Sequence, residues 1–220
     1  MPKNQQPPAL NQLIVERLMH YYHLVAEQIE THASGYVSSA QIAELLSMDD
    51  TLVRKDLAAI GVRGRPRVGF STTGLMDAIR ETLGFNEHYA AVIVGAGRLG
   101  GAIASYAGFG KYGLDVVALF DADHGRVGEL LRGIPVEHID RMEEIIAQRN
   151  VRTAVLTVPA EAAQPLADRL VASGVRAIWN FAPTSLVVPA GVFVRHEHIS
   201  VGLAELAYYL KCNDLAGGHV

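Results

Sequence analysis

Between residues 10 and 31 apolar side chains return at close to a helical period: Leu10, Ile14, Leu18, Tyr22, Val25 and Ile29, with Leu13, Tyr21 and Leu24 widening the stripe. The spacing predicts one long amphipathic helix over 9–31, closed near Gly35. Ser38 and Gln41 then offer a capping box for a short helix through about Leu46. Asp50 is placed to cap a third helix, Thr51 to Ile60, with Leu52, Val53, Leu57 and Ile60 turned inward. From Gly61 to Phe70, glycines and a proline separate short β-favouring residues, which predicts a small hairpin. Thr73 is placed to cap a fourth helix, Gly74 to Leu83, before the linker Gly84-Phe85-Asn86.

Past residue 85 the pattern changes. Short apolar runs alternate with helical periodicity, as in a parallel sheet with crossover helices. The runs are Ala90–Val94, Leu114–Phe120, Ala154–Val158, Val175–Trp179 and Val192–Val194. Helices are predicted near Met142–Gln148, Glu161–Ala172 and Ser200–Leu210. The fold class is α/β: an N-terminal winged helix-turn-helix domain over 1–84, a Rossmann-type parallel sheet over 85–198, and a C-terminal helix with its tail over 199–220.

Half of the 220 residues are hydrophobic and 19% are charged, which suits a globular chain rather than disorder. No apolar run approaches the roughly 20 residues of a membrane-spanning helix. The polar start, Met1 to Pro8, has no signal-peptide pattern. A single cysteine, Cys212, cannot close an internal disulfide, so a cytoplasmic location is expected.

The net charge of −4 by itself argues against nucleic acid as a partner. A local exception matters more. Thr51 to Phe70 holds five basic residues (Arg54, Lys55, Arg63, Arg65, Arg67) against one acid, Asp56, so the rest of the chain carries −8. Two short helices joined by a tight polar turn, the second bearing exposed bases, make a helix-turn-helix pattern with a basic wing. Thr51, Arg54 and Lys55 would face the major groove, and Arg65 and Arg67 the phosphates or the adjacent minor groove. Ser38 and Arg63 complete the candidate DNA-contacting set. The plain alternative is a solvated basic loop on an ordinary helical domain.

The chemistry centres on Ala90 to Gly101. A β-branched run enters Gly95-Ala96-Gly97-Arg98-Leu99-Gly100, and an apolar-periodic stretch leaves it. Strand, Gly-x-Gly-x-x-Gly turn and helix form the context a dinucleotide fingerprint needs. Gly95 allows the tight turn, Gly97 lets backbone approach a pyrophosphate, and Gly100 lets helix and strand pack closely. About 20 residues on, the next apolar run ends at Asp121, placed to accept hydrogen bonds from ribose hydroxyls and to repel a 2′-phosphate. NADH and NAD+ are therefore the expected ligands. The other reading has Asp121 and Asp123 merely capping a turn. Thr157-Val158-Pro159 and Asn180-Phe181 follow later strands, at the edge where such sheets bind ligands, or else simply tie off strand ends.

Taken together these pieces resemble one family, the Rex redox-sensing transcriptional repressors. The resemblance spans roughly residues 10–212. Arg17-Leu18 with Tyr21-Tyr22, Val37-Ser38-Ser39, Val53-Arg54-Lys55-Asp56-Leu57, Gly95 to Gly100, Gly108-Phe109-Gly110, Leu156 to Pro159 and Asn180 to Pro183 carry it. It implies a homodimer on an inverted-repeat operator in double-stranded DNA, released by NADH, with a C-terminal helix inserted between the partner's domains. It also implies that Tyr106 and Phe109 line or gate the nicotinamide pocket, although the spacing of Tyr106 from Ile103 equally fits a buried helix face. Arg17 and Tyr106 match a charge network that in some members includes an aspartate before the last helix. Here that position holds His198, which suggests a pH-sensitive switch.

Two other function classes compete. An NAD-dependent dehydrogenase needs a substrate domain, for which little chain remains after the sheet, and His196 and His198 lack an evident partner. A CoA-binding regulator fits the scaffold, but a 3′-phosphorylated ribose would meet Asp121.

Overall fold

The computed structural model describes residues 10–31 and 35–217; for 28–31 and 213–217 it describes the backbone alone. Ile29 and the polar start therefore lie outside the described side chains. The chain divides into two compact units between Asn86 and Glu87.

In the first unit, helices α1 (Gln12–Thr31), α2 (Ser39–Leu45), α3 (Asp50–Ala59) and α4 (Thr72–Leu83) surround a short antiparallel pair, β1 (Tyr36–Val37) and β2 (Phe70–Ser71). Leu18, Tyr21 and Val25 of α1 meet Ile42, Val53, Leu57, Leu75 and Ile79 in one buried cluster. The capping box at Ser38 and Gln41 is formed, with both reciprocal hydrogen bonds present.

Three local expectations are corrected. The cap of α3 is Asp49, not Asp50: its Oδ1 accepts from the Thr51 and Leu52 N–H groups at 2.8 and 3.2 Å, bonds that hold its carboxyl below the usual range. Asp50 is thereby the first helical residue, where its charge complements the dipole. Helix α4 starts at Thr72 under a Ser71 cap, because β2 delivers Ser71 in extended backbone and its hydroxyl reaches the Gly74 N–H. The predicted hairpin closes only as a tight turn with one bridge, Arg65 to Gly69. Phe70 and Ser71 pair instead with Tyr36 and Val37. Gly69 lets this happen: its φ is +100°, and a Cβ there would lie 2.4 Å from the Val37 carbonyl oxygen.

The second unit is a seven-stranded sheet in the order β5-β6-β4-β3-β7-β8-β9. The strands are β3 (Tyr89–Val94), β4 (Leu114–Asp121), β5 (Leu130–Leu131), β6 (Ile134–His138), β7 (Thr153–Leu156), β8 (Ala177–Asn180) and β9 (Phe193–His196). All pairings are parallel except β5 with β6. Helices α5 (Arg98–Ala104), α6 (Met142–Gln148) and α7 (Ala160–Ala172) connect them, and α8 (Ile199–Gly217) follows β9. Val92 and Val94 bury on one face with Phe120, Leu156 and Ile146, while Ile93 packs on the other with Leu119, Val155 and Phe109. Burial on both faces explains why these strands read as continuous apolar runs.

The β5–β6 hairpin escaped the sequence pattern. Its turn uses Arg132 and Gly133, both left-handed at φ +54° and +80°, rather than the Asn-Gly pair that signals such a turn. Helix α8 is also longer than predicted, and its described side chains are exposed.

Candidate functional site

Without the antiparallel edge strand β5, the sheet has the order of a dinucleotide-binding fold, reversing between β3 and β7. Ligands in such sheets sit at the carboxyl ends beside that reversal. Both the glycine turn after β3 and Thr157 after β7 lie there.

Two of the glycines are demanded by the chain itself. Gly95 has φ +99°, and a Cβ would stand 2.6 Å from the Thr157 carbonyl oxygen. A Cβ on Gly100 would fall 1.9 Å from the Gly95 carbonyl oxygen and 2.8 Å from Thr157 Oγ1. Gly97 differs. Its backbone (φ −60°, ψ −169°) is open to any residue, and a Cβ there would meet nothing within 4 Å. The missing side chain leaves free space over the first turn of α5.

Asp121, at the end of β4, is half-buried and anchors this turn. Its Oδ2 accepts from the Ala96 N–H at 2.8 Å and its Oδ1 from the Asp123 N–H at 3.0 Å. The turn-capping reading is thus real. A carboxylate has about four acceptor positions, so capacity for ribose hydroxyls remains. The Thr157 hydroxyl donates to the Val94 and Gly95 carbonyls, fastening β7 to the glycine turn.

These residues border an open cleft of about 260 Å³ lined by Gly95, Gly97, Asp121, Thr157, Val158 and Pro159. Ile139, Ala162 and Leu166 form an apolar wall that the sequence reading missed. Ala162 and Leu166 on α7 have the type and spacing of any core-facing helix, and Ile139 lies in the short turn before α6, so no local signal set them apart.

Other predicted cofactor residues are not part of this lining. Ala96 is buried, and Arg98 and Leu99 are exposed on α5. Asn180 is buried with its amide engaged: Nδ2 donates to the Thr184 carbonyl at 2.8 Å and to His196 Nδ1 at 3.1 Å, and Oδ1 accepts from the Ala182 N–H. It ties the loop after β8, and Phe181 packs on Trp179. Tyr106 is 58% exposed, so the buried-helix-face reading is corrected; α5 has already ended at Ala104. Its ring folds over Gly108, where a Cβ would collide with it, and meets buried Phe109 edge-on at 6.1 Å. His198 is exposed and stacks on His196 at 6.0 Å.

In the first unit, Ser38, Arg54, Arg63, Arg65 and Arg67 line one open groove of about 600 Å³ between α3 and the wing turn. Thr51 and Lys55 are exposed on α3 outside that lining. Ser38 uses its hydroxyl oxygen to cap α2. Arg54 pairs with Asp50 at 2.7 Å yet stays mostly exposed. Arg65 donates to the Tyr36 hydroxyl at 3.0 Å and lies 5.7 Å from that ring's centre, which holds it against the ring. Arg17 is turned inward, in a bidentate pair with Asp56. Among the described residues no helix is long and apolar enough to cross a membrane.

A basic groove on a helix-turn-helix unit, joined in one chain to a dinucleotide-type sheet, defines the class: a nucleotide-responsive DNA-binding regulator. Residues 12–58 match the family model described as "Putative DNA-binding protein N-terminus", and residues 86–184 match the CoA binding domain model. The redox-sensing transcriptional repressor Rex of Treponema denticola is 38% identical over 96% of this chain and 99% of its own. That of Streptomyces coelicolor is 44% identical over 79% of this chain and 67% of its own. Crystal structures of RSP, a Rex-family repressor, superpose closely. The complex with β-NAD+ and operator DNA has a TM-score of 0.87 at 30% identity, covering 96% of this chain and 99% of that one; the complex with β-NADH has 0.86, covering 94% and 96%. The chain belongs to the Rex family of redox-sensing transcriptional repressors. These relatives are repressors, which removes the dehydrogenase alternative.

Proposed function

We propose that this chain represses transcription as a homodimer on an inverted-repeat operator, and that NADH bound at the glycine turn releases it while NAD+ permits binding. The observation that carries the reading is the free space above Gly97 beside Asp121. Every other glycine of the fingerprint is required by neighbouring backbone, whereas Gly97 is required only by something that must approach the main chain closely. A pyrophosphate does so, with the ribose hydroxyls falling to Asp121. The cleft lies below the ~300–1,000 Å³ typical of ligand pockets, so it suits the adenosine half. The nicotinamide half then extends past Thr157, Val158 and Pro159 toward Tyr106 and Phe109. Apolar and aromatic surroundings disfavour a buried cationic ring, which separates the reduced from the oxidised form. A ligand shifts the dimer only by binding one arrangement better than the other.

DNA is met by α3 and the wing, with Thr51, Arg54 and Lys55 toward bases and Arg63, Arg65 and Arg67 toward phosphates. Dimerisation falls to α8, where Leu203, Leu206, Tyr209 and Leu210 are each more than 60% exposed, an apolar surface that calls for a partner. The regulator acts in the cytoplasm, where the chromosome lies. In this reading His198, beside α8, replaces the carboxylate that some members place there.

A gel-shift titration on a genomic inverted repeat tests the proposal with NADH, NAD+, NADPH and CoA in parallel. NADH alone should release the DNA at low concentration. Release by CoA and not by NADH would overturn the nucleotide assignment, and the absence of any retarded complex would overturn the DNA assignment.

A further inference from the structure

Helix α3 carries its exposed bases on one face and buries Val53, Asp56 and Leu57 on the other. A carboxylate at the centre of that buried face is unexpected, because burying it unpaired is costly. Asp56 is only 3% exposed. Arg17 Nε and Nη2 donate to its Oδ2 and Oδ1 at 2.6 and 2.8 Å, and the Tyr21 hydroxyl donates to Oδ2 at 2.9 Å. Arg17 and Tyr21 lie one turn apart on α1, and Tyr21 is wholly buried. Three directional bonds therefore join the two helices at one point.

We propose that Asp56 is a positioning residue for DNA recognition: held by Arg17 and Tyr21, it sets the rotation of α3 about its own axis and so which edges Thr51, Arg54 and Lys55 present. Apolar contacts around Leu57 are non-directional and tolerate a slide or a roll. A two-pronged arginine–carboxylate pair tolerates neither. Phosphate contacts come from long exposed side chains and survive a small rotation, whereas base contacts need fixed geometry. The triad thus governs discrimination between sequences rather than overall attraction to DNA. The inference rests on the DNA-binding reading above.

The test uses the full-length protein and a short duplex selected by the wild type from a random-sequence pool, with a scrambled duplex as the non-specific probe. In Asp56→Asn the amide nitrogen faces an arginine nitrogen, donor against donor, so the fork no longer closes. The ratio of selected to scrambled affinity should fall about tenfold, the scale of one lost base-pair readout, with the salt slope unchanged. Simple destabilisation would lower both affinities together and leave their ratio intact. The triple variant Arg17→Met/Tyr21→Phe/Asp56→Leu removes the cluster without leaving an orphan charge or a buried orphan hydroxyl, so it should melt near the wild type and still lose the ratio. An unchanged ratio in both variants overturns the proposal. Failure of the wild type to select any sequence overturns the DNA-binding reading, and this proposal with it.

Discussion

Gly97 and Gly100 stand three residues apart in the same turn, and replacing each by alanine should have opposite consequences. In Gly100→Ala the new methyl carbon would lie 1.9 Å from the Gly95 carbonyl oxygen, which is backbone and cannot swing away. Helix α5 must lift from β3 by more than 1 Å to reach van der Waals distance. Overpacking of that kind costs about 1–3 kcal/mol or more. At roughly 3–6 °C per kcal/mol for a unit of this size, the melting temperature should drop by about 5–15 °C. In Gly97→Ala nothing lies within 4 Å and the backbone suits any residue. Loss of chain entropy in the unfolded state stabilises alanine by about 0.4–1 kcal/mol, and its poorer fit at a helix cap offsets a similar amount. Stability should therefore change by less than ~0.5 kcal/mol while NADH affinity falls at least about tenfold. Thermal melts and NADH fluorescence titrations read the two quantities separately. Unchanged NADH affinity in Gly97→Ala would refute the argument that the free space receives the pyrophosphate.

Arg54→Ala should leave stability within ~0.5 kcal/mol, because its pair with Asp50 is exposed; DNA affinity should fall and the salt slope shrink by about 1, measured by gel shift across ionic strengths. If α8 dimerises the chain as proposed, Leu206→Glu should give a monomer in sedimentation, since a charge would replace an exposed leucine whose burial against a partner would contribute about 1.5–3 kcal/mol per copy. Burial first, and the hydrogen bond to Asp56 second, push the Tyr21 phenol above its ordinary value of 10.0. The folded state therefore keeps this proton longer than the unfolded chain does, so its contribution is intact below about pH 10 and is lost as pH climbs beyond. Of the eight tyrosines, one should ionise only as the first unit unfolds, seen as a delayed step in ultraviolet absorbance that Tyr21→Phe abolishes.

The two-part organisation, the glycine turn and the acid ending β4 were legible because each is a local matter. Apolar period separates a helix from a buried strand within a dozen residues, and the Gly-x-Gly-x-x-Gly spacing records steric demands a few residues apart. The basic run of α3 and the wing was equally plain. Local reading failed where two local partners compete or where the partner is remote. Asp49 and Asp50 are chemically alike, and only the path of the chain leaving α2 decides which one meets the Thr51 and Leu52 N–H groups. Asn180 at a strand end read equally as a nucleotide contact or as a tie for the loop, and the remote partners that engage its amide, Thr184 and the His196 that β9 brings alongside β8, are not visible in the local pattern.

By itself, then, the order of residues determined the element types, the nucleotide-type turn and the charge that marks the basic groove, since all three follow from neighbours along the chain. Only the tertiary structure decided that Arg17 and Tyr21 on α1 close on Asp56, 39 and 35 residues away, and that Gly97 alone of the fingerprint opens onto empty space. The reason is physical: a buried charge must find its counter-charge wherever packing brings one, and free volume belongs to an arrangement of elements rather than to any single residue.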